Sequence, residues 1–213
     1  MRQQLVQFGK RLVESRLVTG TGGNLSLRVP GRDRMLITPS SVDYWAIGPE
    51  DIVEVDLASG EASAPPGRRP SVEWLLHAEL YRARSAVNAV VHFHGLYTRA
   101  LSVARQEIPV ILDGTALYVG GPVRVAPFAP SGSAELARNV AGAIGESPCI
   151  LMANHGAVAV GGTLQEAFAL ALRIEEWAHV YLLARQAGHV HALTEDDIVR
   201  VREHFGRISY KAT

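Results

Sequence analysis

The segment NAVVHFH, residues 88–94, constrains this chain more than any other. Its apolar run reads as a β-strand, and side chains alternate across a strand, so His92 and His94 point to the same face. Two buried neutral imidazoles side by side need polar partners. A third histidine, His155 in LMANHGAV, stands at the end of a second apolar run and is followed by glycine. Three imidazoles converging from strand ends, with one position left open, form the arrangement of a catalytic rather than a structural zinc. Glu73, in RPSVEW, is the carboxylate that joins them.

Each histidine carries a plainer alternative. One histidine in a strand is more often a satisfied core or edge residue than a ligand. The His-x-His spacing and the second strand end raise the weight of the metal reading for His92, His94 and His155. His77, His179, His189, His191 and His204 fall on helices or in the loop before the last helix, where structural or solvent roles are expected. His189 and His191 repeat the His-x-His spacing, but between two helices, with no strand to align them. Glu73 has two readings. As a carboxylate in the first helical turn behind Ser71, a good N-cap, it favours the helix dipole; exposed at that turn, it also faces a metal as a base.

Composition excludes several classes. The 213 residues suit one domain, residues 1–213, with a substantial core. The 21 basic and 21 acidic residues cancel, so there is no basic footprint for nucleic acid or an anionic membrane. The single cysteine, Cys149, sits in an apolar run and reads as a buried strand residue. The opening MRQQLVQFGKRLVESR is an amphipathic helix rather than a signal peptide or span, and a cytoplasmic location is expected.

The pattern alternates between strands and helices. After the first helix, the glycine-rich turn TGTGGN leads into the strand NLSLRV, and PGRD turns into RMLITP. DIVEVDL reads as a strand, APPGRRP as a surface loop, and SVEWLLHAELYRAR as a helix with Val72, Leu75, Leu76 and Leu80 at helical spacing. The strand NAVVHFH follows, then an irregular stretch through PVILDG and a short strand near PVRVAP. A helix spans GSAELARNVAGAI. Two strands, CILMAN and GAVAV, bend at His155–Gly156, and helices over about 163–185 and 195–204 finish the chain. A central sheet with helices on both faces packs these pieces most economically, an α/β fold.

TGTGGN is not a P-loop, because no Gly-Lys-Ser/Thr follows and a strand comes next. Its backbone N–H groups at Gly23 can still cradle a phosphate, with the Asn24 amide beside them. Ser40 and Ser41 in ITPSSV and Ser71 in PSVEW offer hydroxyls, although serines in turns usually serve the turns.

In order and spacing, GGNLSLR, ITPSS, PSVEW, AVVHFH, PVRVAPFAPSGS and NHG resemble the class II aldolase/adducin-head family, in its fuculose-phosphate aldolase branch, over nearly the whole chain. The resemblance implies a three-layer α/β/α fold around a mostly antiparallel sheet, and a homotetramer with active sites between subunits. It implies Zn2+, or another divalent transition metal, on His92, His94 and His155, with Glu73 ligating when substrate is absent. It implies a phosphate pocket from Gly23, Asn24, Ser40, Ser41 and Ser71, and a small phosphorylated sugar as substrate. The reaction implied is retro-aldol cleavage of a ketose 1-phosphate to dihydroxyacetone phosphate and an aldehyde. In it Glu73 moves a proton at carbon, and the tail tyrosine, Tyr210, exchanges one with the aldehyde oxygen. No Schiff-base lysine is needed, and the chain has only Lys10 and Lys211.

The chain departs from the family pattern at three places. Val72 stands for a second serine before the glutamate, Ser40–Ser41 for a threonine–glycine pair, and Asp113, in PVILDGTA, for a tyrosine. Asp113 places an anion near the aldehyde end, which turns the expectation from fuculose phosphate toward a 5-deoxypentulose phosphate or another short ketose phosphate. Glutamate at 73, where the epimerase branch has aspartate, favours cleavage. A decarboxylase of 3-oxo-tetronate phosphates and a methylthioribulose-phosphate dehydratase are the alternatives on the same metal trio. An adducin-like interaction module without metal is disfavoured by the retained histidines and Glu73.

Overall fold

Apolar alternation along the strands decides how this chain layers. The computed structural model describes residues 1–208, so the Tyr210 expectation lies outside the described residues. Among these residues one sheet holds eight strands: β1 (Asn24–Arg28), β2 (Arg34–Ile37), β3 (Val53–Asp56), β4 (Ala62–Ser63), β5 (Ala89–Phe93), β6 (Val125–Ala126), β7 (Cys149–Met152) and β8 (Gly156–Gly161). Their order is β4-β3-β2-β1-β5-β8-β7-β6. Every neighbouring pair is antiparallel except β6 and β7, which run parallel. Seven helices cover it: α1 (Arg2–Glu14), α2 (Trp74–Ala83), α3 (Leu96–Ala104), α4 (Asp113–Tyr118), α5 (Ala134–Ile144), α6 (Leu164–Ala187) and α7 (Glu195–Ile208).

Successive strand residues enter two separate cores. Leu25, Leu27, Val91, Phe93, Leu151 and Ala159 face Leu5, Phe8 and Leu12 of α1, Leu101 of α3 and Phe168 and Ile174 of α6. Val90, Ile150, Met152 and Val158 face the other way, against Leu76 and Leu80 of α2 and Leu136, Val140 and Ile144 of α5. Each buried side chain of this size contributes roughly 1.5–3 kcal/mol relative to leaving it exposed. This is the three-layer α/β/α arrangement with a mostly antiparallel sheet. Cys149 is buried in the first core, and burial pushes its thiol up to about 12.

Several elements differ from the sequence expectation. The stretch read as irregular after NAVVHFH contains α3 and α4. The first turn of α3 has no side-chain cap of its own. Its free N–H groups at Tyr97 and Thr98 donate to the Glu175 carboxylate of α6, at 2.8 and 3.0 Å. A cap from 78 residues away leaves no local signal. The α4 helix is held by α7, where Arg202 Nε donates to Ala116 O at 3.1 Å. The two-residue strand β4 went unread, and α2 begins after Glu73, which is its N-cap residue rather than part of its first turn. The bend at His155–Gly156 is a full hairpin reversal between β7 and β8. No helix among the described residues is long and apolar enough to cross a membrane.

Candidate metal centre

Strand β5 lies in mid-sheet between β1 and β8, and its even-numbered residues face α2. His92 pairs in register with Asn24 on one side and Val158 on the other, and is fully buried. His94 follows just past the strand end, where its backbone N–H donates to Leu17 O at 2.8 Å. His155 enters from the β7–β8 turn, closed by its N–H donating to Met152 O at 3.0 Å. Gly156 makes that approach possible: a Cβ there would lie 2.4 Å from Phe93 O and 2.8 Å from His94 Cδ2. Glu73 arrives from the opposite layer, on a turn in which Trp74 N–H donates to Ser71 O at 3.0 Å.

These four side chains converge. His92 Nε2 lies 3.0 Å from Glu73 Oε2, and His155 Nε2 lies 3.1 Å from Glu73 Oε1. His94 Nε2 is 2.8 Å from His92 Nε2. All four donor atoms lie within 4.8 Å of one another. His92 Nδ1–H donates to Ala157 O at 3.0 Å, which fixes its tautomer and turns Nε2 inward as a lone-pair donor. Three imidazole nitrogens and one carboxylate suit a borderline divalent ion such as zinc, and the single negative charge of Glu73 suits its charge.

The local electrostatics follow from the same contacts. Burial pushes the Glu73 carboxyl up, but His92 and His155 outweigh it and hold the group well below the usual carboxylate range. Burial pushes His92 down, while Glu73 and the Ala157 carbonyl raise it overall. His94 is lowered to about 3, by burial first and then by the charges of His92 and His155 facing it. A carboxylate kept ionised among imidazoles is prepared to bind a cation and to exchange a proton.

The glycine turn lies against this centre. A Cβ on Gly22 would stand 3.0 Å from His94 Nδ1, and one on Gly23 would stand 2.7 Å from His92 O. Gly23 also has φ +68°, and its carbonyl accepts from Tyr44 Oη at 2.9 Å. A bridge between Pro39 and Pro70 sets Ser40 and Ser41 beside the turn of Ser71, whose Oγ accepts from Glu73 N–H at 3.3 Å. Ser41 has φ +57°, the left-handed region that a glycine at this position would adopt without strain. Asn24 is buried and its side chain points to Glu73, with Nδ2 donating to Oε2 at 2.9 Å.

Asp113 is not in this cluster. It lines a cleft of about 520 Å³ between α4 and α7, with Leu193, Asp197 and Arg200. Sequence reasoning missed two residues. Ser131 Oγ donates to Glu73 Oε1 at 3.0 Å, and the flanking Gly132, with φ +75°, brings that loop against the Val72 carbonyl. His77 is fully buried one helical turn beyond Glu73, and that i,i+4 spacing was the available signal. His179, by contrast, stacks flat on Tyr97 with ring centroids 3.8 Å apart, a packing role.

Comparison with known proteins places the chain among relatives of known kind. Residues 3–182 match the family described as Class II Aldolase and Adducin N-terminal domain. A 5-methylthioribulose-1-phosphate/5-deoxyribulose-1-phosphate aldolase of Rhodospirillum rubrum is 35% identical over 205 residues, covering 96% of this chain and 90% of the relative. A 5-deoxy-D-ribulose 1-phosphate aldolase of Bacillus thuringiensis serovar kurstaki is 32% identical, covering 96% of this chain and 94% of the relative. Among solved structures, an L-fuculose 1-phosphate aldolase superposes with a TM-score of 0.91 at 36% identity, over 96% of this chain and 95% of the other.

Proposed function

The chain belongs to the class II aldolase and adducin family and is a lyase of it, and on that premise we propose zinc-dependent retro-aldol cleavage of a 5-deoxypentulose 1-phosphate or a close ketose 1-phosphate. The products are dihydroxyacetone phosphate and a short aldehyde. The observation that carries the reading is the convergence of His92, His94, His155 and Glu73, with the His92 tautomer locked by Ala157 O.

His92, His94 and His155 would hold the zinc, which when bound would supply Lewis-acid polarisation of the ketose carbonyl and stabilisation of the charge released by carbon–carbon cleavage. Around it, Glu73, ionised at rest, takes up a proton that originates on the hydroxyl becoming the aldehyde and returns it to the substrate carbon left electron-rich when the bond breaks, acting as general base and then general acid. Its two carboxylate oxygens are held apart in role, Oε2 by Asn24 and Oε1 by Ser131, so the group is aimed before substrate arrives. The backbone at Gly23 and the hydroxyls of Ser40, Ser41 and Ser71 receive the phosphate, which fixes the ketose end. Tyr210, which lies outside the described residues, exchanges a proton with the oxygen that becomes the aldehyde's, giving up its own as it takes the hydroxyl's. Val72, 56% exposed beside Glu73, stands where a second serine would offer the phosphate another hydroxyl, so the pocket is built with one hydroxyl fewer. The deoxyribulose-phosphate aldolases among the relatives support the choice of a deoxy sugar.

We read residues 1–213 as one domain that assembles as a homotetramer with active sites between subunits. One observation supports it: Leu96 and Val103 are exposed on a groove that includes His155. The test of function is a panel of ketose 1-phosphates given to zinc-loaded protein, with dihydroxyacetone phosphate read by a coupled reductase. Release from a 5-deoxypentulose phosphate supports the proposal. Silence across the panel with zinc stoichiometrically bound moves the reading to the decarboxylase or dehydratase chemistry of the same family.

A further inference from the structure

Behind Glu73 and Asn24 runs a chain of buried polar side chains, His77, Ser26 and Tyr81, that the proposed reaction leaves unused. Glu73 Oε2 accepts from Asn24 Nδ2 at 2.9 Å, and Asn24 Oδ1 lies 2.5 Å from His77 Nε2. His77 Nδ1 lies 2.6 Å from Ser26 Oγ, which lies 2.7 Å from Tyr81 Oη. Asn24, Ser26, His77 and Tyr81 are all at most 3% exposed. The outer end is fixed by Arg28, whose guanidinium sits 4.9 Å from the Tyr81 ring centroid and donates to the Tyr81 carbonyl.

The direction of every bond in this chain is determined. An ionised carboxylate only accepts, so the Asn24 atom facing Glu73 is its NH2 group, and its oxygen faces His77. His77 Nε2 must then carry the proton. Burial lowers His77 to about 3, so at neutral pH it holds only that proton and Nδ1 is bare. Ser26 therefore donates to Nδ1, and Tyr81 donates to Ser26. Four donors in series all point toward Glu73, and aligned hydrogen bonds of this kind polarise one another.

We propose that His77 is a positioning residue for the lyase reaction, acting through Asn24 to hold the Glu73 carboxylate ionised and aimed at the metal centre. Ser26 and Tyr81 select its Nε2–H tautomer. The mirror case is His92, held as the Nδ1–H tautomer by Ala157 O. The inference rests on Glu73 serving the reaction proposed above. It also reassigns the Asn24 side chain from the phosphate to Glu73.

Glutamine in place of His77 keeps an N–H donor at the far end of the side chain, whereas leucine removes it. His77→Leu should keep zinc and change KM less than about threefold while kcat falls roughly 10–100-fold, the usual loss when the outer partner of a metal-site group is removed. His77→Gln should recover most of that loss. Undiminished kcat in the folded, zinc-loaded leucine variant, or equal losses in both variants, overturns the proposal. Two-bond 1H–15N spectra of histidine-labelled wild-type protein give a readout without turnover. They should show His77 neutral and protonated at Nε2, and a proton at Nδ1 overturns the proposal even where the leucine variant fails to fold. If the wild-type protein cleaves no ketose phosphate, the proposed function fails, and the tautomer still decides whether the chain of donors exists.

Discussion

At the scale of single residues, two kinds of constraint meet in the metal centre. Glu73 must be ionised, while the three histidines must offer bare nitrogens. Glu73→Gln keeps the size and one oxygen, so metal should stay largely bound while turnover falls by at least about 100-fold, the weight of a lost general acid–base group. His92→Ala removes a buried donor at the middle of the cluster, so metal and activity should go together. Metal analysis alongside steady-state kinetics separates the two, and stoichiometric metal in His92→Ala would undo the ligand assignment. A backbone constraint is as strict. Gly23→Ala puts a methyl group 2.6 Å from Val18 Cγ1 and 2.7 Å from His92 O at a left-handed φ. That overpacking and strain should lower unfolding stability by roughly 1–3 kcal/mol in urea titrations, and an unchanged midpoint would contradict it. His92, His94 and His155 were legible as candidate donors because residue type and strand position bring them to one face, whereas Glu73 joined them through the family resemblance. Ser131 was not legible, because a turn serine carries no distinguishing spacing, and the i,i+4 spacing of His77 to Glu73 is one that ordinary core histidines on a helix also show.

At the scale of elements, legibility followed where the stabilising contacts lie. The α6 helix announces itself by Thr163, whose Oγ1 accepts from Glu166 N–H at 3.2 Å, and by its long run of good helix formers. Thr163→Ala should cost about 1 kcal/mol of stability, read in thermal or urea unfolding. Zinc content should stay unchanged, because the cap stands at the far end of β8 from Gly156 and His155; a loss of metal in this variant would tie the cap to the site. The α3 and α4 helices announce nothing, since Glu175 and Arg202 complete them from distant parts of the chain. Helix α2 shows a subtler shift. Ser71 does not cap a turn containing Glu73; it supports a bend that leaves Glu73 as the N-cap residue with its carboxylate turned to the histidines. The carboxylate makes no cap hydrogen bond to the helix and faces His92 and His155 instead, which is the orientation the proposed metal role needs.

At the scale of the whole molecule, the buried His77 links the site to acid stability. Its pKa is lowered to about 3 from 6.5, and burial is the largest cause. Between those values the unfolded chain binds a proton that the folded chain refuses, so stability rises with pH there. It is full above about 6.5 and falls as pH drops toward 3, by up to about 1.4 kcal/mol per pH unit from this group. Urea unfolding across that range should show the slope in wild-type protein and a shallower one in His77→Gln. Parallel curves would mean that His77 does not carry it.

The amino-acid sequence by itself determined the candidate ligand set, the strand that carries His92 and leads to His94, the alternation of two apolar faces and, through its ordered motifs, the family. Those are properties of residue type and short-range period, which the chain carries wherever it goes. Only the tertiary structure decided which oxygen of Glu73 meets which imidazole, that the Asn24 side chain turns to Glu73 rather than to the expected phosphate pocket, and that His77 stands behind both. Donor direction in a buried network depends on partners 49 to 55 residues apart, and their meeting is set by the register of β1 on β5 and the packing of α2 across the sheet.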